Sequence, residues 1–392
     1  MKFDNPILRT IRASILSCAV LSGVVSCGGP SGERGGADDT TAWAPIYRSR
    51  YAERFELLGD TLNDDRSTLL RVRNPWQGAE NTVYDYRLVP DTAATVREGE
   101  IRYPIRSAVC MSSTHVAFLD ALGEVSVVRG ASGIDFIANP AVHTGAVKEV
   151  GYDTNLDFET IVALRPDVVF IYGVGGEHTA VTKLRQLGLP VVYIADYLEN
   201  DPLGRAEWIV PFGLLTGKLN EAILYFNRIE ARYRELATRI PASDSSAVGR
   251  PKVMLNAPYR DVWYLPGDRS YMARLVREAG GDYLGRGTDN DASRPVSAEH
   301  AWVLMQEADY WLAPGMAQNL AQLKADNHRF AGLPVVREGR VFNNNARITP
   351  KGGSDFWESG VVRPDRVLAD MIRILHPELL PEHELYYFHR LK

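Results

Sequence analysis

Three histidines, His115, His143 and His178, carry the side chain that most often binds transition metals. No short-spaced ligand motif links them, and a single histidine near a strand end usually makes only a hydrogen bond. A direct bond from a histidine to a metal ion stays open as the alternative. The Gly173–Gly176 run lacks the Lys-Ser/Thr ending of a phosphate loop, and no Gly-x-Ser-x-Gly elbow occurs. The sequence therefore predicts no metal site of the protein's own, no catalytic centre and no resident cofactor.

A second chemically distinctive residue is Cys27, which directly follows Val24-Val25-Ser26. The chain before it starts with basic residues and continues as an apolar run over residues 13–25, shorter than the roughly 20 residues that span a bilayer. This pattern is typical of lipoprotein signal peptides, although ordinary cleavage nearby is the alternative. We predict a signal peptide over residues 1–26, a lipid on Cys27 and a flexible Gly-rich tether over residues 27–42. The protein would then be membrane-anchored on the periplasmic side of the cell envelope.

Length and composition indicate a large folded body beyond this tether. The chain has 392 residues, 45% of them hydrophobic, and a formal net charge of −5 without a basic stripe, which argues against nucleic-acid binding. Apart from Cys27, the predicted mature chain holds only Cys110, so it can form no intramolecular disulfide between unmodified cysteines. We expect a monomer.

The hydrophobic pattern predicts several regions in sequence. Short alternating runs predict a small antiparallel β extension over residues 43–105. Continuous apolar strands that alternate with helices predict an α/β lobe over residues 106–201 and a second one over residues 247–376. Apolar residues from Leu219 to Ile240 recur at helical spacing inside an inter-lobe helical region, residues 202–246. Residues 377–392 remain as a C-terminal tail.

The two predicted lobes share a weak sequence echo. Glu159 opens a short helix before the strand at Asp167, and Glu299 opens one before the strand near Asp309. Acidic residues in a first helical turn are ordinary helix chemistry, which is the simplest interpretation of either glutamate.

The segment from Asn155 to Val169 resembles a signature of class III periplasmic binding proteins, the solute receptors of ABC importers for cobalamin, ferric siderophores and haem. Val296-Ser297-Ala298-Glu299 is similar to the matching segment of their second lobe. The segment 201–208 and the β extension resemble a Bacteroidetes-type branch. The resemblance implies two Rossmann-like α/β lobes, bridged by a long rigid helix, with the ligand in the cleft between them. It also implies that Glu159 and Glu299 dock onto arginines of an ABC permease.

Ligands of open α/β sheets bind at the carboxyl ends of the strands. Loops expected there supply one set of candidate ligand-binding residues, which combines aromatic faces with polar groups. The candidates are His115, Tyr172, Glu177, His178, Tyr197, Tyr259, Arg260, Met316, Asn344 and Trp357.

The sequence thus predicts a lipid-anchored binding protein, not an enzyme, that delivers a small metal chelate to an ABC importer. It does not choose between cobalamin, a ferric siderophore and haem as the ligand, and an axial bond from a histidine to the metal of haem or a corrinoid stays open. The alternatives are a tetrapyrrole metal chelatase-like enzyme on the same fold, and a surface scavenger that works without a permease.

Overall fold

The structure, a computed structural model, describes residues 42–392 with the exception of 63–66, 94, 153–154, 177–178, 242–248 and 261. The predictions for Cys27, the signal peptide and the tether before residue 42, together with Glu177 and His178, lie outside the described residues. Across the described ranges, no helix combines the length and the apolar composition needed to cross a membrane.

The N-terminal extension is a five-stranded sheet in which sequence order is also spatial order. Its first four strands pair antiparallel as predicted, whereas the fifth lies parallel to the fourth. One face buries Leu57, Leu70 and Leu88, because side chains alternate between the two faces of a strand, and Leu58 and Leu69 on the other face are buried as well. The strands are β1 (Trp43–Tyr47), β2 (Phe55–Asp60), β3 (Thr68–Arg73), β4 (Val83–Pro90) and β5 (Ile101–Tyr103).

The first α/β lobe is a parallel five-stranded sheet with the order β10-β9-β6-β7-β8. Its strands are β6 (Ala108–Cys110), β7 (Val128–Ala131), β8 (Lys148–Glu149), β9 (Val168–Ile171) and β10 (Val191–Tyr193). Its helices are α1 (Ser113–Ala121), α2 (Phe158–Leu164) and α3 (Thr179–Gln186). The sequence predicted β6, β9 and β10 but missed β7 and β8, because these two strands are short and contain charged residues.

The inter-lobe region contains α4 (Pro202–Glu207), α5 (Ile209–Leu215) and the long helix α6 (Leu219–Thr238). The 20 residues of α6 correspond to a length of about 30 Å at the usual helical rise. Its buried face carries Phe226, Tyr233 and Leu236, and it packs against α5 and against α12 (Pro364–Leu375) of the second lobe. The predicted bridging helix is therefore confirmed.

The second lobe has a sheet with the order β13-β11-β15-β16-β17, and a separate antiparallel pair, β12 and β14. Its strands are β11 (Lys252–Leu255), β12 (Val262–Leu265), β13 (Asp282–Tyr283), β14 (Arg294–Ser297), β15 (Tyr310–Leu312), β16 (Val341–Asn343) and β17 (His389–Arg390). Its other helices are α7 (Tyr271–Glu278), α8 (Ala298–Met305), α9 (Leu320–Asp326), α10 (Pro334–Arg337) and α11 (Ser359–Val362).

The segment predicted as a C-terminal tail is part of this second sheet. Strand β17 pairs antiparallel with β16, and Phe388 and Leu391 beside it are buried. Asp370 of α12 accepts backbone hydrogen bonds from Tyr386, Tyr387 and Phe388 at 2.7–3.1 Å. Residues 377–392 therefore belong to the second lobe rather than to a separate tail.

Candidate functional site

A cavity of about 530 Å³ opens at the carboxyl ends of the strands of the first lobe. This is the edge of the sheet at which ligand binding is predicted from the sequence. The cavity is lined by Met111, Ser112, Ser113, Thr114, Ser132, Gly133, Phe136, Ile137, Tyr152, Tyr172, Val174, Asp196 and Tyr197. Of the ten candidate ligand-binding residues, the structure places Tyr172 and Tyr197 in this lining.

Tyr172 and Tyr197 form one aromatic wall of the cavity. Their rings meet edge to face with centroids 6.3 Å apart. The Tyr197 hydroxyl donates a hydrogen bond to the carbonyl oxygen of Gly173, the residue after Tyr172. Burial raises the pKa of Tyr197 above its ordinary value, although a hydrogen bond from the Gln77 backbone acts in the opposite direction. Tyr197 is therefore a neutral hydroxyl held in a fixed position.

Sequence reasoning missed two further aromatic residues of the lining, Phe136 and Tyr152, whose side chains are exposed. They follow β7 and β8, the two strands that the sequence did not predict. The Glu149 carboxylate fixes both loops, since it accepts hydrogen bonds from the backbone amides of Gly133, Ile134 and Gly151 at 2.7–2.9 Å. Strands of four and two residues carry too little periodic signal in the sequence to indicate these two loops.

Asp196 is a buried carboxylate in the lining and was also missed among the candidate site residues. Burial raises its pKa to about 6, while the charge of Arg205 acts to lower it. Its Oδ2 atom has no hydrogen-bond partner among the residues that the structure describes. Arg205 is itself held by the carbonyl oxygens of Tyr197 and Glu199, both at 2.8 Å. The cavity wall therefore contains a carboxylate that is almost fully buried.

His115 does not face the cavity. It lies in α1 with 0% of its surface exposed, and its ring packs against Phe170 and Phe212 with centroids 6.0 and 6.1 Å away. Burial lowers the pKa of His115 to about 3. It is thus a neutral core side chain and not a ligand-binding residue of this cavity.

The candidates of the second lobe cluster at the carboxyl edge of its own sheet. Tyr259 is 66% exposed and Met316 is 62% exposed. Arg260 stacks on the Tyr259 ring at 5.3 Å, within a tight turn where Arg260 has a φ of +57°. These residues do not line the first-lobe cavity, and their side chains are exposed.

Asn344 and Trp357 lie in the loop after β16. Asn344 is buried, and its carbonyl oxygen accepts a hydrogen bond from the Ser354 hydroxyl at 2.8 Å, so it shapes the loop. Trp357 is exposed on one side and packs on Phe356 and Tyr271 on the other. Trp357 therefore presents part of its aromatic surface to solvent.

The two lobes meet directly beside the cavity. The Glu358 carboxylate of the second lobe accepts hydrogen bonds from the Ala138 and Asn139 amides of the first lobe at 2.6 and 2.9 Å. Burial raises the pKa of Glu358 to about 7. A Cβ atom on Gly353 would lie 1.8 Å from the Phe136 carbonyl oxygen, so only glycine fits there. The loop carrying Phe136 is thus held from both lobes.

The family model for periplasmic binding proteins matches residues 109–347, more than half of the chain. The chain belongs to this family. The matched range contains the whole cavity and most of the second lobe, whereas the N-terminal sheet lies before it.

The chain is also similar to individual proteins, both in sequence and in structure. An uncharacterised lipoprotein of Methanocaldococcus jannaschii is 29% identical over 302 residues, which cover 74% of this chain and 69% of the relative. A periplasmic haem-binding protein from Pseudomonas aeruginosa superposes with a TM-score of 0.56 at 19% identity, over 74% of this chain and 98% of its own. For the periplasmic vitamin B12 binding protein of Vibrio cholerae the TM-score is 0.50 at 15% identity, over 71% and 99% of the chains. These solved structures confirm the two-lobed fold.

In this periplasmic binding protein, α2 and α8 repeat the same surface pattern on the two lobes. Asp157 caps α2 and Ser297 caps α8 through side-chain oxygens that accept backbone hydrogen bonds at 2.9 and 3.2 Å. The glutamate two residues after each cap is exposed. Hydrogen bonds from the Glu299 backbone amide and the Ser297 hydroxyl hold the pKa of the Glu299 carboxyl below its ordinary value.

Apolar side chains accompany both glutamates. Val162 of α2 is exposed, as are Trp302 and Val303 of α8, at 44% and 61%. Residues three positions apart share one helix face, so Glu159 lies beside Val162 and Glu299 beside Trp302. Each lobe therefore presents an acidic and apolar surface.

Within the described ranges, no three His, Cys, Asp or Glu side chains come together in a group that could hold a metal ion. His143 instead hydrogen-bonds the Ile137 carbonyl oxygen at 2.8 Å.

Proposed function

We propose that this periplasmic binding protein is the lipid-anchored receptor of an ABC importer and carries a metal chelate of the haem, vitamin B12 or ferric siderophore class. The observation that carries the proposal is the aromatic cavity at the carboxyl edge of the first sheet, which the second lobe borders through Glu358 and Gly353. Its volume of about 530 Å³ lies within the usual range for small-molecule sites. Structural neighbours that bind haem and vitamin B12 support this ligand class.

The chemistry of the lining suits a large flat ligand with polar edges. Phe136, Tyr152 and Tyr172 supply apolar ring faces, which bury area with little loss of side-chain freedom. Asp196 and the Tyr197 hydroxyl supply polar groups that orient the ligand. We infer that the ligand lies on the first-lobe cavity.

Residues of the second lobe would contact the ligand from the other side. Tyr259, Arg260, Met316 and Trp357 remain our candidates there, because their side chains are exposed or partly exposed on loops at the carboxyl edge. Asn344 would act only by shaping its loop. Glu177 and His178 remain predictions outside the described residues.

We infer that α2 and α8 dock onto the permease. Glu159 and Glu299 would pair with arginines, which bind carboxylates in a directional, bidentate geometry. Val162 and Trp302 would add apolar contact, as aromatic residues do at the centres of protein interfaces. Because one surface lies on each lobe, the permease can sense the geometry between the lobes.

The lipid on Cys27 would hold this receptor beside its permease. The lipoprotein relative from Methanocaldococcus jannaschii supports a lipid-anchored envelope protein. The Bacteroidetes-type assignment and the monomeric state stay predictions.

Uptake measurements with a docking variant test this proposal. Cells that carry Glu159→Ala with Glu299→Ala should take up labelled haemin, cyanocobalamin or a ferric siderophore at least about tenfold more slowly, since each buried interfacial charge pair contributes a few kcal/mol. Ligand affinity of the purified variant should be unchanged.

The matched control is Glu221→Ala with Glu382→Ala, which removes two exposed glutamates from other surfaces. It should leave uptake at the wild-type rate. Normal uptake by the docking variant, or loss of its ligand affinity, would contradict the assigned roles of Glu159 and Glu299.

A further inference from the structure

We propose that the N-terminal sheet β1–β5 supports one wall of the ligand cavity, with Trp76 as its positioning residue. The functional consequence rests on the ligand-binding role proposed above, whereas the contacts that carry the inference do not depend on a ligand. The sheet lies before residue 109, where the matched family region begins. The sheet therefore lies outside the matched family region, and membership of the family does not indicate what the sheet does.

Trp76 belongs to a rigid turn between β3 and β4. The Asn74 side chain accepts a hydrogen bond from the Thr82 amide at 3.0 Å, and the Asn74 amide donates to the Thr82 carbonyl oxygen at 2.8 Å. The Arg54 guanidinium donates to the Asn74 carbonyl oxygen at 2.8 Å. Bonds at both ends fix the direction in which Trp76 leaves the turn.

This turn presses against Gly173, where the cavity wall begins. A Cβ atom on Gly173 would lie 3.0 Å from the Trp76 Cβ and 3.1 Å from the Pro75 carbonyl oxygen. Such close approach between two backbones is possible because residue 173 has no side chain. The backbone of the wall therefore rests directly on the N-terminal sheet.

The contact continues from Gly173 to the ligand-facing side chains. The Gly173 carbonyl oxygen accepts the hydrogen bond of the Tyr197 hydroxyl, and the Gln77 backbone reaches the same hydroxyl. Tyr197 in turn packs edge to face on Tyr172. A shift of the turn around Trp76 would thus move both aromatic residues of this wall.

A second contact joins the sheet to strand β10, which forms an edge of the first-lobe sheet. The backbone amide of Tyr193 in β10 donates to the Tyr86 hydroxyl oxygen at 3.0 Å. The Trp76 ring lies 5.6 Å from the Tyr193 ring. The N-terminal sheet therefore covers an edge that would otherwise expose unpaired backbone groups, and Trp76 joins this contact to the cavity wall.

Hydrogen–deuterium exchange of the ligand-free full-length protein, followed by mass spectrometry, tests the proposal. In Trp76→Ala, backbone amides of residues 171–176 and 197 should exchange about tenfold faster, which corresponds to a local loss of roughly 1.4 kcal/mol. Amides of β15 in the second lobe should exchange as in the wild type. Trp76→Phe should restore slow exchange, because it keeps an aromatic ring in the contact.

Trp43→Ala is the matched control, since Trp43 is a partly buried tryptophan of the same sheet whose ring packs on Arg87. It should leave residues 171–176 unchanged. If Trp76→Ala does not fold, Gly173→Ala carries the test, because its methyl group pushes the same two backbones apart.

Titration of the same variants with haemin, cyanocobalamin and a ferric hydroxamate provides a second measurement. Whichever probe binds the wild type should bind Trp76→Ala about tenfold more weakly. Unchanged exchange of residues 171–176, equal acceleration over the whole chain, or the same effect in Trp43→Ala would overturn the proposal. If no probe binds the wild type, the ligand proposal fails while the exchange measurement still decides the role of Trp76.

Discussion

Buried carboxylates are the least expected residues of this molecule. Asp196 lies in the cavity wall, Glu199 accepts hydrogen bonds from the Glu53 and Arg54 amides, and Glu358 lies at the contact between the lobes. Burial raises their pKa values to about 6, 7 and 7. Their positions could not be predicted from the sequence, because an acidic residue in a loop is normally solvated and only the tertiary structure shows that it is buried.

The raised pKa of Asp196 makes stability depend on pH. Between its ordinary pKa of 3.8 and about 6, the folded protein keeps a proton that the unfolded chain has lost, so stability falls as pH rises. Asp196→Asn should therefore become progressively more stable than the wild type as pH rises from 4 to above 6, measured by thermal unfolding of the ligand-free protein.

The control for the lost charge is Asp326→Asn, an exposed residue of α9. Its stability difference from the wild type should stay nearly constant over the same pH interval. A pH-independent difference for Asp196→Asn would show that Asp196 is not buried as an acid.

A residue of the cavity lining could be predicted from the sequence only where the strand that precedes it could be predicted. Tyr172 and Tyr197 follow strands whose continuous apolar runs are clear in the sequence, and both line the cavity. Phe136 and Tyr152 follow strands of four and two residues, which carry too little pattern. His115 follows a well-predicted strand, yet it lies on the inward face of α1, and a nine-residue helix with buried residues on most sides does not reveal which face that is.

At the scale of elements, one buried carboxylate fastens the N-terminal sheet to the inter-lobe helices. Glu207 at the end of α4 accepts hydrogen bonds from the Tyr47 hydroxyl and from the amides of Arg50, Tyr51 and Ala52, all at 2.7–2.8 Å. The Glu207 carboxylate thus accepts the hydrogen bonds that a neighbouring strand would otherwise accept from the backbone of residues 50–52.

Glu207→Ala should lower the free energy of unfolding by about 3–5 kcal/mol, because it leaves several backbone amides without an acceptor in a buried site. Chemical denaturation of the full-length protein measures this loss. Glu221→Ala, at an exposed position in the first turn of α6, should cost less than about 1 kcal/mol. Equal effects of the two substitutions would contradict the anchoring role of Glu207.

Long elements were predicted well, and short ones were not. The apolar periodicity of α6 and the continuous apolar runs of β9 and β10 give nearly the observed bounds. The strand β17 was missed because two residues in a polar, aromatic segment carry no periodic signal, and its pairing with β16 is set by contacts distant in sequence. The parallel pairing of β5 with β4 could not be predicted either, because β5 is also short and its pairing is set by tertiary contacts.

At the scale of the whole molecule, the two lobes are joined by more than the long helix. The Arg274 guanidinium of the second lobe pairs with Asp201 at 2.8 Å, and Glu358 binds two amides of the first lobe. Together with the N-terminal sheet, these contacts favour a receptor whose lobes move little relative to one another. Ligand selection then depends on a preformed cavity rather than on a large closure.

The central claim is that this preformed cavity binds a metal chelate without changing it. The most direct measurement is equilibrium titration of the purified full-length protein with haemin, cyanocobalamin and a ferric siderophore, followed by tryptophan fluorescence and by visible absorbance. We predict saturable one-to-one binding of one class, with the chelate recovered intact after release. Failure of all three classes to bind, or recovery of the ligand with its metal inserted, removed or exchanged, would contradict the account.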